Sequence, residues 1–404
     1  MHRRQFLAFA AASPLAGLCW STRLWAAPEA GSRLLVVFLR GGYDGLSLLV
    51  PRSGFYAEAR PRLALAVAGG ATPGAIALDA DWALHPVLAD TLLPLARAGQ
   101  LRFVPFAGTE DLSRSHFETQ DSMELGLPID ARRDYSSGFM NRLAARLSGA
   151  APIAFTEQLP LILRGSAPAA NLSVRGKMAK SGLEALQPAI SAMYRDHPLQ
   201  SRVEEAFALQ GRVRQDAAGA MQAGMAAGGS GNKGFETEAR RIAGLMRESH
   251  RLGFVDMDGW DTHIGQCGAS SEIGILANRL GELGRGLAAL ADTLGAQEWR
   301  RTVVVVISEF GRTVRENGSR GTDHGHGNTF LVLGGGLAAA RAGSPVAGEQ
   351  QAIEAATLFQ NRDLPVLNEY RALLGGIMAR QFGLDARALE AVFPQARPRD
   401  LGLL

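Results

Sequence analysis

Cysteine is almost missing from this chain. Cys19 lies near the start, and Cys267 stands alone in the rest of the 404 residues. One thiol cannot close an internal disulfide, so the fold must rest on its core. Lysine is nearly as scarce, with only Lys177, Lys180 and Lys233. The cations are therefore arginines, a bias that follows base composition more readily than function. A one-sided charge is also missing. The net charge of +3 is matched by Arg3, Arg4 and Arg23, which precede the first acidic residue, Glu29. The remainder is close to neutral, which argues against a nucleic-acid partner. No apolar run beyond the first segment reaches the ~18 residues that spanning a bilayer requires. There is no G-x-S-x-G elbow, no H-E-x-x-H, no phosphate-cradling G-x-x-x-x-G-K-[ST] loop and no C-x-x-C. Serine hydrolases of the elbow type, zincin proteases, P-loop enzymes and dithiol oxidoreductases are thereby disfavoured.

What is present begins with the leader. Arg3-Arg4 abuts Phe6-Leu7, and a weakly hydrophobic stretch follows from Ala8 to Trp20. This reads as a twin-arginine export signal spanning residues 1–27, with small residues for cleavage at Ala26 or Ala27. The expected partner during export is the Tat translocon, and the expected destination is periplasmic or extracellular. Residues 28–404 then form the mature chain, with no transmembrane segment.

In that chain, short β-branched runs alternate with helical patterns. Strands are expected at 34–39, 101–106, 153–155, 252–255, 302–307 and 329–333. Helices are expected at 86–98, 199–216, 235–250, 272–294 and 368–382. The alternation predicts an α/β fold: a doubly wound, largely parallel sheet with helices on both faces. Residues 165–235 read as a helical insertion or cap, with a flexible Ala/Gly-rich loop from Ala217 to Gly234.

Four polar clusters follow the expected strands. They are Arg40 to Gly45, Ser113 to Glu124, Asp256 to His263, and Ser308 to Thr313 continued by Gly321 to Asn328. Four of the seven histidines beyond the leader fall in these clusters: His116, His263, His324 and His326. Each has a carboxylate or a second histidine within a few residues. Imidazole nitrogens mixed with carboxylate oxygens suit Zn²⁺ or Mn²⁺, and oxygen-rich sites suit harder ions such as Ca²⁺. The candidate ligands are Asp44, Asp261, His263, Asp323, His324 and His326. Ser113, Ser115 and His116 are the candidate catalytic residues, expected on the rim of the same pocket. Asp44 also reads as a turn residue capping a backbone N–H, and Glu309 as a structural partner of Arg312. His85, His197 and His250 read as structural.

The leader, "LRGGYDGLSLLVP", "SRSHFETQDSMELG", "DGWDTH" and "SEFGRT…GTDHGHGN" together resemble domain-of-unknown-function family 1501 across nearly the whole mature chain. The resemblance implies an alkaline-phosphatase-like fold, related to sulfatases and cofactor-independent phosphoglycerate mutases. It further implies a two-metal site and a hydroxyl or modified-cysteine nucleophile. Asp323-His324 matches the ligand pair after a buried strand, and His263 with Asp258 or Asp261 a second set. Ser113 or Ser115 lies where the nucleophile is supplied. The chain departs from that pattern at Arg40, where a metal-binding Asp usually ends the first strand. The implied function is an exported metal-dependent hydrolase of phosphate or sulfate esters. The alternative is a non-catalytic secreted protein, binding an unknown partner, that keeps the fold.

Overall fold

Apolar strands form where β-branched residues cluster, and helices cover them. A computed structural model describes residues 31–66, 74–174, 183–208, 211, 234–339 and 343–404. The leader, and the 217–233 part of the loop expected to be flexible, lie outside the described residues. In chain order the strands are β1 (Arg33–Leu39), β2 (Leu49–Pro51), β3 (Ile76–Ala77), β4 (Trp82–Leu84), β5 (Leu101–Gly108), β6 (Pro152–Ala154), β7 (Ala170–Asn171), β8 (Leu252–Met257), β9 (Thr302–Ile307), β10 (Asn328–Leu333) and β11 (Asn368–Glu369). Eight of them make one mixed sheet, ordered β11-β5-β10-β9-β1-β8-β6-β7. Strands β2, β4 and β3 form a small antiparallel sheet beside it.

In the large sheet, β10 pairs antiparallel with both neighbours, and every other pairing is parallel. The central strand β9 is buried along its whole length. Alternate side chains divide the core. Leu34, Val36 and Phe38 of β1 pack with Met140 of the helix Phe139–Ala144 and Leu374 of the helix Tyr370–Phe382. Leu35, Val37 and Leu39 join Ile242 of the helix Phe235–Glu248 and Leu283 of the helix Ile275–Arg301. Both faces of the sheet are therefore apolar, which is why its strands are continuous hydrophobic runs rather than alternating ones. Among the described residues, no helix is long and apolar enough to cross a membrane.

Three expected helices start later than their patterns, the one expected from 272 beginning at Ile275. The stretch 86–98 splits into a 3₁₀ turn, Pro86–Leu88, and a helix, Leu92–Arg97. Pro94 has no N–H to give, and is tolerated only in a first turn, so the helix begins just before it. Asn368 and Glu369 pair with β5 instead of opening the last long helix, and the Glu369 carboxylate caps that helix by accepting from Ala372 N at 2.9 Å.

Candidate metal centre

The connection between β9 and β10 runs from Ser308 to Gly327. Because β10 returns antiparallel, this connection leaves and re-enters the sheet at one edge. The carboxyl ends of β1, β5 and β8 face the same edge, since β1 and β8 run with β9, and β5 runs against β10. Loops rich in polar residues therefore meet there, as expected of open α/β sheets.

Glycine lets these loops interleave. A Cβ at Gly321 would lie 2.1 Å from the carbonyl oxygen of His263, and one at Gly41 only 2.7 Å from the backbone nitrogen of Asp261. Gly41 also sits at φ +123°, where side chains are rarely tolerated.

Three loops deliver the reactive groups. His116 opens the helix His116–Leu125 after β5, Asp261 and His263 follow β8, and His324 precedes β10. His116, Asp261 and His324 offer ligand atoms that all lie within 4.8 Å of one another, the one such group among the described residues. Asp261 is its hub. Its Oδ2 is 3.5 Å from His116 Nε2, and its Oδ1 is 3.4 Å from His324 Nε2 and 3.0 Å from His263 Nε2. His263 Nε2 and His324 Nε2 are 2.9 Å apart.

The far nitrogens of the three rings are all engaged. His116 Nδ1 meets Glu309 Oε1 at 2.8 Å, His263 Nδ1 meets Asp323 Oδ1 at 3.0 Å, and His324 Nδ1 meets the Arg114 carbonyl at 2.9 Å. Carboxylates and carbonyls only accept, so each Nδ1 carries a proton; in the neutral ring this leaves the Nε2 lone pair on the Asp261 side, the form a cation requires. Outer partners of this kind set the tautomer and orientation of metal-binding histidines. His116 Nε2 is buried with no hydrogen-bond partner.

Charge at the site is tightly arranged. Glu309 is fully buried. It accepts from His116, Gln120 Nε2 and Gly41 N, each at 2.8 Å, and from Ser308 Oγ at 2.9 Å. Burial alone would raise its pKa, but these donors bring it below the ordinary value. The same bond to Glu309 raises His116, whereas burial lowers His324. Arg312, itself buried, is held by the carbonyls of Gly41, Gly42 and Thr322, and binds Asp261 Oδ1 at 2.6 Å. It overcomes the effect of burial and holds the Asp261 carboxyl below its ordinary pKa. Phe310 packs against the rings of both His116 and His324, with centroids 4.9 and 4.8 Å away.

The expected residues thus divide. Asp261, His263 and His324 come together, with Asp323 behind His263. His116, expected on the rim, stands at the centre. Asp44 is elsewhere engaged: it is buried, takes two bonds from Arg60 at 2.6 and 3.0 Å, and accepts from Ser47 and Gln266 at 2.7 Å. His326 stacks on Phe359, and burial drives its pKa down to about 4. It lies outside the close group. Ser113 Oγ sits 3.1 Å from Thr119 Oγ1, and Ser115 is the residue before the His116 helix. Glu309 does not pair with Arg312 as expected; it serves His116. The sequence placed Glu309 and Arg312 in a polar cluster but not among the candidate ligands or catalytic residues. The available signal was a buried strand ending directly in a Ser-Glu pair, because a carboxylate at that depth must find several donors.

The remaining histidines have local roles. His85 accepts from Val87 N at the start of the 3₁₀ turn, His250 Nδ1 meets the Ala151 carbonyl at 2.8 Å, and His197 accepts from Leu199 N.

A search of curated proteins finds no match. Residues 31–393 match a family described as "Protein of unknown function (DUF1501)", and the chain, covered over most of its length, belongs to that family.

Proposed function

We propose that this chain is an exported, metal-dependent hydrolase of phosphate or sulfate esters, built on a doubly wound, alkaline-phosphatase-like sheet. One observation carries the reading: three imidazoles have their Nδ1 atoms committed to acceptors and their Nε2 atoms turned toward one carboxylate. The orphaned His116 Nε2 fits a cation, which would complete it. His116, Asp261, His263 and His324 would hold a single divalent ion. A set with this much imidazole favours Zn²⁺ or Mn²⁺ over Ca²⁺.

A divalent ion there would supply Lewis acidity to an ester oxygen and a water. The chain's own residues do the positioning. Arg312 keeps Asp261 ionised and fixed, Glu309 orients His116, and Asp323 orients His263. Asp261 and His263 are the more exposed members, with side chains 45% and 37% accessible, and leave the centre open to a substrate. Of the two serines, Ser113 already has Thr119 as a partner, so Ser115, next to His116, is the better placed hydroxyl. The twin-arginine leader supports export.

A second reading rests on its own observation. Two carboxylates near strand ends are neutralised by arginine, Asp44 by Arg60 and Asp256 by Arg40. Such pairs suit a protein that kept the fold and binds an unknown secreted partner without chemistry.

Elemental analysis of mature protein purified without added metal is the first test, with nitrophenyl phosphate and nitrophenyl sulfate as substrates. We expect about one zinc or manganese per chain, reduced by His324→Ala, and ester cleavage that chelation abolishes. Bound metal without turnover on any ester favours the second reading. Absence of metal, with stability indifferent to Zn²⁺ and Mn²⁺, rejects the centre itself.

A further inference from the structure

The histidines of the candidate centre do not all commit Nδ1 to the same kind of group. His116 and His263 use carboxylates, whereas His324 uses a main-chain carbonyl, that of Arg114, at 2.9 Å. A carboxylate swings on its own side chain. A carbonyl points where the backbone of its residue sends it. At Arg114 that backbone is unusual: φ is +52°, in the left-handed region that a residue with a Cβ rarely enters.

The guanidinium of the same residue explains how it stays there. Arg114 Nε and one terminal nitrogen bond Asp363 Oδ2 at 3.2 and 2.7 Å, and that nitrogen also bonds Gln360 Oε1 at 2.7 Å. Asp363 is fully buried. It closes a turn whose ends bond each other, Phe359 N to the Asp363 carbonyl at 2.8 Å and Asp363 N to the Phe359 carbonyl at 3.0 Å. Gln360 and Asn361, at the tip, have φ of +52° and +55°. Three of the eight non-glycine residues with positive φ among the described residues are thus gathered here, and Arg114 and Gln360 touch. Such conformations persist only where surrounding contacts over-determine them, and they cluster at functional sites. The turn holds the histidine loop as well: Arg362 donates to the His324 carbonyl, and Phe359 stacks on His326. His324 is therefore gripped at its ring and at its backbone from one turn.

We propose that Arg114 is a positioning residue for His324, locked by Asp363 and Gln360 at a positive φ so that its carbonyl holds the Nδ1 proton and keeps Nε2 turned toward Asp261. The consequence for metal binding rests on the metal-centre reading; the carbonyl grip does not. Glycine enters the left-handed region without steric cost and alanine does not. Arg114→Gly and Arg114→Ala both delete the ion pair, but only glycine leaves the carbonyl free to stay in place. The two substitutions thus separate positioning from a pair that merely stabilises the fold.

The test compares Arg114→Gly, Arg114→Ala and Asp363→Asn in mature protein. The first readout uses metal-free protein with isotope-labelled histidine at mildly alkaline pH, where imidazoles are neutral. Proton–nitrogen correlation spectra report which ring nitrogen of His324 carries the proton, with the signal assigned by its loss in His324→Ala. Unmodified protein and Arg114→Gly should hold the proton on Nδ1, and the other two should shift it toward Nε2. The second readout is zinc affinity, by competition with a chromophoric chelator. It should fall about tenfold in Arg114→Ala, the lower end of the loss expected for an outer partner, and be largely recovered in Arg114→Gly. Asp363→Asn should lose several-fold, and it decides the matter against Arg114→Gly if Arg114→Ala does not fold. A glycine variant as impaired as the alanine one, or a proton that stays on Nδ1 in every variant, would overturn the proposal. Unmodified protein that binds no zinc yet shows the expected proton pattern would sink the metal centre alone and leave the positioning role standing.

Discussion

Replacing Asp44 by alanine separates a structural carboxylate from a metal ligand. Asp44 and Arg60 are both essentially inaccessible, and the guanidinium reaches the carboxylate with two nitrogens. Removing one partner of a buried pair leaves an uncompensated charge, at a cost of about 3–5 kcal/mol. Arg60 keeps the carbonyls of Thr313 and Val314 as acceptors, which places the loss nearer the lower figure. With an unfolding entropy of ~2.1 cal/mol/K per residue over about 375 residues, each kcal/mol shifts Tm by roughly 1.3 °C. Asp44→Ala should therefore lower Tm by about 4–6 °C. The assay is thermal unfolding of mature protein, once in chelator and once in zinc. The drop should be the same in both. The pH dependence has a defined sign. Arg60 holds the folded-state pKa of Asp44 below its unfolded value of 3.8, despite burial. The contribution of the pair is then complete above that value, and is lost as pH falls below it through the folded pKa. Asp44→Ala should remove this acid-limb dependence. An unchanged Tm would refute the burial argument. A drop seen only with zinc would return Asp44 to the ligand set.

Other outcomes follow from the same contacts. Glu309→Gln should weaken zinc binding about 10–100-fold, measured by competition with a chromophoric chelator, because it disturbs the outer partner of His116; unchanged affinity would remove Glu309 from the site. Lowering pH through the ordinary imidazole range near 6.5 should release metal, since protons compete for Nε2, and retention at pH 5 would argue against histidine ligands. Val304→Asp, in the middle of β9, should abolish soluble expression, because a buried unpaired carboxylate costs several kcal/mol; a soluble variant of unaltered Tm would contradict the burial of β9. Arg3→Lys with Arg4→Lys should hold the precursor in the cytoplasm, as followed by fractionation; normal export in a Tat-deficient strain would reject the leader assignment.

Much of the scaffold was legible in the sequence. Runs such as Thr302–Ile307 and Leu34–Leu39 have no polar face, so they had to lie inside a sheet covered on both sides, and both do. Family membership was equally legible, because ordered motifs along the chain leave little room for coincidence. The antiparallel course of β10 was not. Strand direction is set by what the strand pairs with across the sheet, and no local pattern encodes it.

The sequence alone determined which residue types were available for chemistry: a near-absence of thiols, few lysines, and histidines gathered with carboxylates after buried strands. It could rank Asp44 and His326 with Asp261, His263 and His324, because all follow strands or sit in glycine-rich loops. Only the tertiary structure shows which of them lie together. Asp44 is neutralised by Arg60, which lies sixteen residues further along the chain and carried no signal of its own. His326 turns to Phe359, and His116 moves from the rim to the centre because Glu309, 193 residues away, accepts its Nδ1 proton. Side-chain fate at such an edge depends on partners brought together by strand order, and strand order is a property of the packed sheet rather than of any segment within it.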